Sequence, residues 1–79
     1  MLSKFPNSTL KVGAVVSLSP DCEFILNGYS NNPVDVIGLV ERIDDLYVSV
    51  IWNDGIQNVY NISDYDLIAE GEPGFLATE

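Results

Sequence analysis

Histidine is absent from this chain of 79 residues, cysteine occurs once, and three basic side chains stand against twelve acidic ones. Without imidazole there is no Ser-His-Asp or Cys-His nucleophile and no histidine ligand for a metal. A lone cysteine, Cys22, cannot form an internal disulfide. That fits a reducing compartment and leaves only an intermolecular bridge open. With no cation beside it in the sequence to activate it, Cys22 reads as a small buried hydrophobe. No glycine-rich phosphate loop is present. Apolar runs are short: none approaches the length of a membrane span, and the opening "MLSKFPNSTL" lacks the core of a signal peptide. Lys4, Lys11 and Arg42 are the only cations, so the formal net charge is −9. Such a surface repels nucleic-acid backbones and anionic lipid. These absences predict a cytoplasmic chain that is no enzyme, holds no cofactor or metal, and contacts neither nucleic acid nor membrane.

What is present is a well-filled apolar complement, 47% of residues, enough for a small core and too much for a disordered chain. Residues 1–10 are polar, contain proline and show no periodicity, and read as an N-terminal arm. "KVGAVVSLS" (11–19) is rich in β-formers, with Ala14, Val16 and Leu18 on one face. "PDCEFILNGYSNNPVD" (20–35) follows as a long loop around the apolar patch Phe24-Ile25-Leu26; Gly28 and Pro33 break any helical pattern. "VIGLVERI" (36–43) and "LYVSVIWN" (46–53) are the clearest strands, joined across Asp44-Asp45 as a tight hairpin. In the second of them Val48, Val50 and Trp52 share one face; Tyr47, Ser49 and Ile51 share the other. Asn53-Asp54-Gly55 turns the chain into "IQNVYNI" (56–62). Ser63-Asp64 then predicts one capped helical turn before a last strand at "LIAE", and 71–79 form a C-terminal tail. Five short strands over residues 11–70, with a long first loop and one helical turn before the last strand, describe an all-β, SH3-like barrel.

Val12-Gly13, Gly38-x-Val40, "VSVIWNDGIQNVY" and the closing "YDL" resemble the SH3-like modules of the Mind-bomb/HERC type, and more loosely Tudor and KOW-type barrels. The matching positions are Val50, Trp52, Asn53, Asp54, Gly55, Asn58, Tyr60, Tyr65, Asp66 and Leu67. The likeness is densest in the second half. In the first long loop the family's aromatic, glycine-rich segment is replaced by "PDCEFILNGYSNNP". The resemblance implies a barrel that takes extended peptides.

Two carboxylate pairs, Asp44-Asp45 and Asp64-x-Asp66, sit in turns where aspartate is favoured for backbone reasons, without the oxygen-rich spacing of a calcium loop. Asn7-Ser8-Thr9 and Asn61-Ile62-Ser63 match the glycosylation sequon, but the chain shows no secretion signal. Trp52 is first a core residue. As a functional residue it would line a groove with Tyr60 and Tyr65, Asp54 at its rim and Tyr29 extending it, where acid beside aromatics favours lysine or arginine in a ligand. The leading expectation is therefore a non-catalytic module binding a basic or extended segment of a partner protein. The alternative is a small stand-alone acidic inhibitor or nucleic-acid mimic, of the kind viruses encode, that blocks a basic host protein. A homo-oligomer, with Phe24-Ile25-Leu26 and Phe75-Leu76 packed across an interface, is a third option.

Overall fold

The computed structural model describes residues 3–19, 21–22 and 36–76. The expected loop patch Phe24-Ile25-Leu26 and Tyr29 lie outside the described residues. Five antiparallel strands form one sheet: β1 (Val15–Leu18), β2 (Ile37–Ile43), β3 (Tyr47–Trp52), β4 (Gln57–Asn61) and β5 (Leu67–Ala69). Their order is β4-β3-β2-β1-β5, a meander whose last strand returns beside the first. β4 and β5 do not pair with each other, so the sheet is not closed.

Alternation decides which side is the core. Val16 and Leu18 of β1, Val40 of β2, Val48, Val50 and Trp52 of β3, Tyr60 of β4 and Leu67 of β5 are buried together with Cys22. Full burial of one such side chain contributes about 1.5–3 kcal/mol. Gly38 lets this layer close. A Cβ there would lie 2.5 Å from the Trp52 ring and 2.7 Å from Val50, so the indole lies directly across the backbone of β2. In the β2–β3 turn the Asp44 carboxylate accepts the N–H groups of Leu46 and Tyr47 at 2.9 and 2.8 Å. Those two bonds hold its carboxyl below the usual carboxylate range.

One expectation is corrected. No helical turn precedes β5. Instead the Asn61 side-chain oxygen accepts the Ser63 N–H at 2.9 Å and the Ser63 hydroxyl at 2.6 Å. The Ser63 hydroxyl is thereby committed to Asn61 and does not cap a helix. Among the described residues the one 3-10 turn lies at Asn7–Thr9, within the N-terminal arm. Asn7 is fully buried. Its side chain donates to the Asn61 carbonyl at 2.9 Å and accepts the Leu67 N–H at 3.1 Å. Its own N–H reaches the Asp64 carbonyl at 2.7 Å, and Ser8 N–H that of Ile62 at 2.9 Å. The N-terminal segment thus bridges the end of β4 to the start of β5.

The sheet's outer face is covered on one half. Ser17 of β1 is 1% exposed and its hydroxyl accepts the Leu76 N–H at 2.9 Å. Ile68, opposite Ser17 in the β1–β5 register, is completely buried. The described part of the tail therefore engages β1 on this face, and the outer side of β2, β3 and β4 is left unpartnered among the described residues.

Candidate functional site

The residues expected to line a groove separate into an interior pair and an exposed remainder. Trp52 and Tyr60 do come together: their rings meet edge to face, with centroids 6.2 Å apart and planes at 81°. Trp52 Nε1–H donates to the Tyr60 hydroxyl at 3.2 Å. Both are buried in the core, and Trp52 also borders the open cleft beside Gly38 and Asn53. Asp54 stands exposed in the β3–β4 turn, where its carboxylate accepts the Ile56 N–H at 3.0 Å. Gly55 beside it has φ +90°, the left-handed region that this turn requires and glycine supplies. Tyr65 is exposed between β4 and β5. Tyr29 lies outside the described residues. Tyr47 stands on the outer face, as the alternation predicts.

Burial pushes the Tyr60 phenol up to about 12, against the opposing effect of the Trp52 hydrogen bond. The folded state therefore keeps its proton where the unfolded chain, titrating near 10, has lost it. The Tyr60 contribution to stability, about 2–3 kcal/mol in total, is fully present below pH 10 and is lost as pH rises through 12. Denaturant melts at stepped alkaline pH check this; Tyr60→Phe removes the Tyr60 contribution to the slope.

Surface capable of contact lies elsewhere, on the outer side of the sheet. Ile37, Leu39 and Ile51 are 42%, 45% and 38% exposed. The register sets Val15, Leu39 and Ile51 in one row across β1, β2 and β3, ending at Gln57 of β4. Around them is an open cleft of about 370 Å³ that reaches Gly38, Asn53 and Gly55. Its lining is mostly apolar; Asn53 is its one polar side chain. Val59 of β4, half exposed, extends the apolar surface toward the sheet edge. Beside it lies a polar pocket. A register shift between Val40 and Arg42 leaves Glu41 as an extra residue in β2. Its carboxylate accepts the Ser49 hydroxyl at 2.9 Å and the Gln57 amide. Glu41, Arg42, Ser49 and Gln57 together line this pocket of about 290 Å³.

The strand patterns held a sign of this face. In "VIGLV" both alternating sets are free of polar side chains, and in "VSVIW" the outward set carries Ile51 beside Ser49, so the outer side is more apolar than a solvated face requires. No family model, curated protein or solved structure matches the chain. Among the described residues no helix is long and apolar enough to cross a membrane, and no three of His, Cys, Asp and Glu converge as metal ligands would.

Proposed function

We propose that this chain is a non-catalytic protein-binding module that engages a basic, extended segment of a partner protein on the outer face of β2, β3 and β4. The observation that carries the reading is the apolar patch of Ile37, Leu39 and Ile51 around its cleft, left uncovered among the described residues in a chain of net charge −9. Contiguous apolar surface on a small domain is costly in water and marks contact sites. Acid around it supplies the long-range field that steers a cationic partner in and suppresses acidic ones. The meander order, with the last strand beside the first, is that of SH3-like barrels and supports a module of that kind. The contact surface is then the sheet's outer side rather than a groove of Trp52, Tyr60 and Tyr65.

Leu39→Asp tests this with opposite signs for the two readings. The position is half exposed, so the fold survives, which a thermal melt verifies. If the apolar face makes the contact, capture of a basic protein from lysate falls about tenfold or more, as loss of a buried contact at an interface centre does. If the acidic surface alone makes it, as in a nucleic-acid mimic, the added carboxylate leaves capture intact or strengthens it, and moderate salt abolishes it.

A further inference from the structure

The two edges of the sheet are treated differently. On β5 two of the outward-pointing groups are used: the Leu67 N–H goes to the Asn7 side chain, and the Ala69 carbonyl accepts the Glu72 N–H at 3.0 Å. On β4 they are not. The pairing of β3 with β4 runs in one unbroken register from Tyr47↔Asn61 to Ile51↔Gln57. It is flanked by the bonds Trp52 N–H to Ile56 carbonyl and Ile62 N–H to Leu46 carbonyl. Since hydrogen-bonded pairs alternate along an antiparallel ladder, Asn58 and Tyr60 face β3, and the N–H and C=O groups of Gln57 and Val59 point away from the sheet. No described residue meets them.

Sheets ordinarily guard such an edge with lysine, proline, a bulge or a covering segment. The stretch Ile56–Ile62, "IQNVYNI", has no charge and no proline, and its register has no bulge. Acid stands at its two ends, Asp54 in the turn before it and Asp64 in the turn after it. We propose that β4 is a strand-acceptor edge, which takes an extended partner segment with an uncharged centre and lysine or arginine at its flanks. Main-chain bonds to Gln57 and Val59 would supply affinity, and the flanking acids would select the basic ends. Charge favours such a segment over a second copy of the chain, since two copies would each bring a net charge of −9. The inference rests on the protein-binding reading, but it uses different atoms from the outer-face cleft.

The test uses the isotope-labelled full chain and two synthetic peptides, Lys-Thr-Val-Thr-Val-Thr-Lys and the same sequence N-methylated at every threonine and valine. Charge and side chains match, and the methylated peptide lacks the main-chain donors of its five central residues. The expected result is that the first peptide slows amide exchange of Gln57 and Val59 about tenfold or more at saturation, leaves Ile68 unchanged, and binds at least about tenfold more tightly than the methylated one. Val59→Pro, whose lost N–H points away from β3, retains the fold and abolishes the slowing. Equal binding of the two peptides, or no binding at millimolar concentration, would overturn the proposal. So would protection of Gln57 and Val59 that rises with protein concentration alone, because a second copy would then hold the edge. Loss of partner capture in Leu39→Asp with the peptide result intact condemns neither claim; retained capture in that variant removes the outer-face reading and leaves the edge standing.

Discussion

Trp52→Ala lowers the stability of this domain by about 3–5 kcal/mol, enough to unfold much of the population at ordinary temperature. The indole is 2% exposed, meets Tyr60 edge-on, and lies over Gly38, where no side chain fills the space. Truncation to alanine leaves a cavity bounded by strands that cannot collapse into it, and removes the hydrogen bond at the Tyr60 hydroxyl. Urea denaturation followed by circular dichroism measures the loss. Trp52→Phe, which keeps a ring but not the N–H, costs about 1–2 kcal/mol and stays folded, so it is the variant to use in binding work. A Trp52→Ala protein within 1 kcal/mol of wild type would mean that the ring is not part of the core. The practical consequence concerns partner capture: Trp52 borders the cleft as well as filling the core, so a partner lost with Trp52→Ala speaks to the cleft only where a melt shows the variant folded.

Asn7→Ala comes next in size, at about 2–4 kcal/mol. The residue contributes no apolar area, and its effect comes from the polar atoms that it satisfies. Without its amide the Leu67 N–H is left inside the protein with no partner, and the Asn61 carbonyl keeps only its bond from Asp64 N–H. Asn7→Asp keeps the acceptor for Leu67 but loses the donor to Asn61 and places a carboxylate at a site with no exposure. It should therefore be no better tolerated than alanine, and its deficit should shrink as pH falls and the carboxylate is neutralised. Denaturant melts of both variants at neutral and acid pH give the comparison.

These two residues mark where sequence reading succeeded and where it failed. Trp52 was legible because Val48, Val50 and Trp52 alternate along an uninterrupted strand, and one buried face fixes the side of every second residue. The Asp44-Asp45 hairpin and the Asn53-Asp54-Gly55 turn were legible for a similar reason, since local chemistry alone closes them. Asn7 was not. Its partners, Asn61 and Leu67, are 54 and 60 residues away, and a polar side chain that satisfies distant backbone leaves no periodic trace. The turn before β5 was misread because Ser63-Asp64 looks like a helix cap, while Asn61 upstream takes the serine hydroxyl first. The outer-face row was visible in part: Ile37, Leu39 and Ile51 break the polar alternation expected of a solvated face. The tail that engages β1, and the lack of cover over β2–β4 among the described residues, could be seen only once the chain was folded. The state of an edge is likewise a topological fact; "IQNVYNI" reads the same for a central strand as for an open one.

The central claim is that the β5 edge is engaged by Asn7 and Glu72, while the β4 edge, which no described residue meets, receives a partner. Amide hydrogen exchange on the free chain, wild type beside Asn7→Ala, tests it most directly. The account predicts fast exchange at Gln57 and Val59 in both proteins, and slow exchange at Leu67 in wild type that becomes fast in the variant. Slow exchange at Gln57 and Val59 in dilute wild-type protein would contradict it, because β4 would then already be paired and the sheet closed.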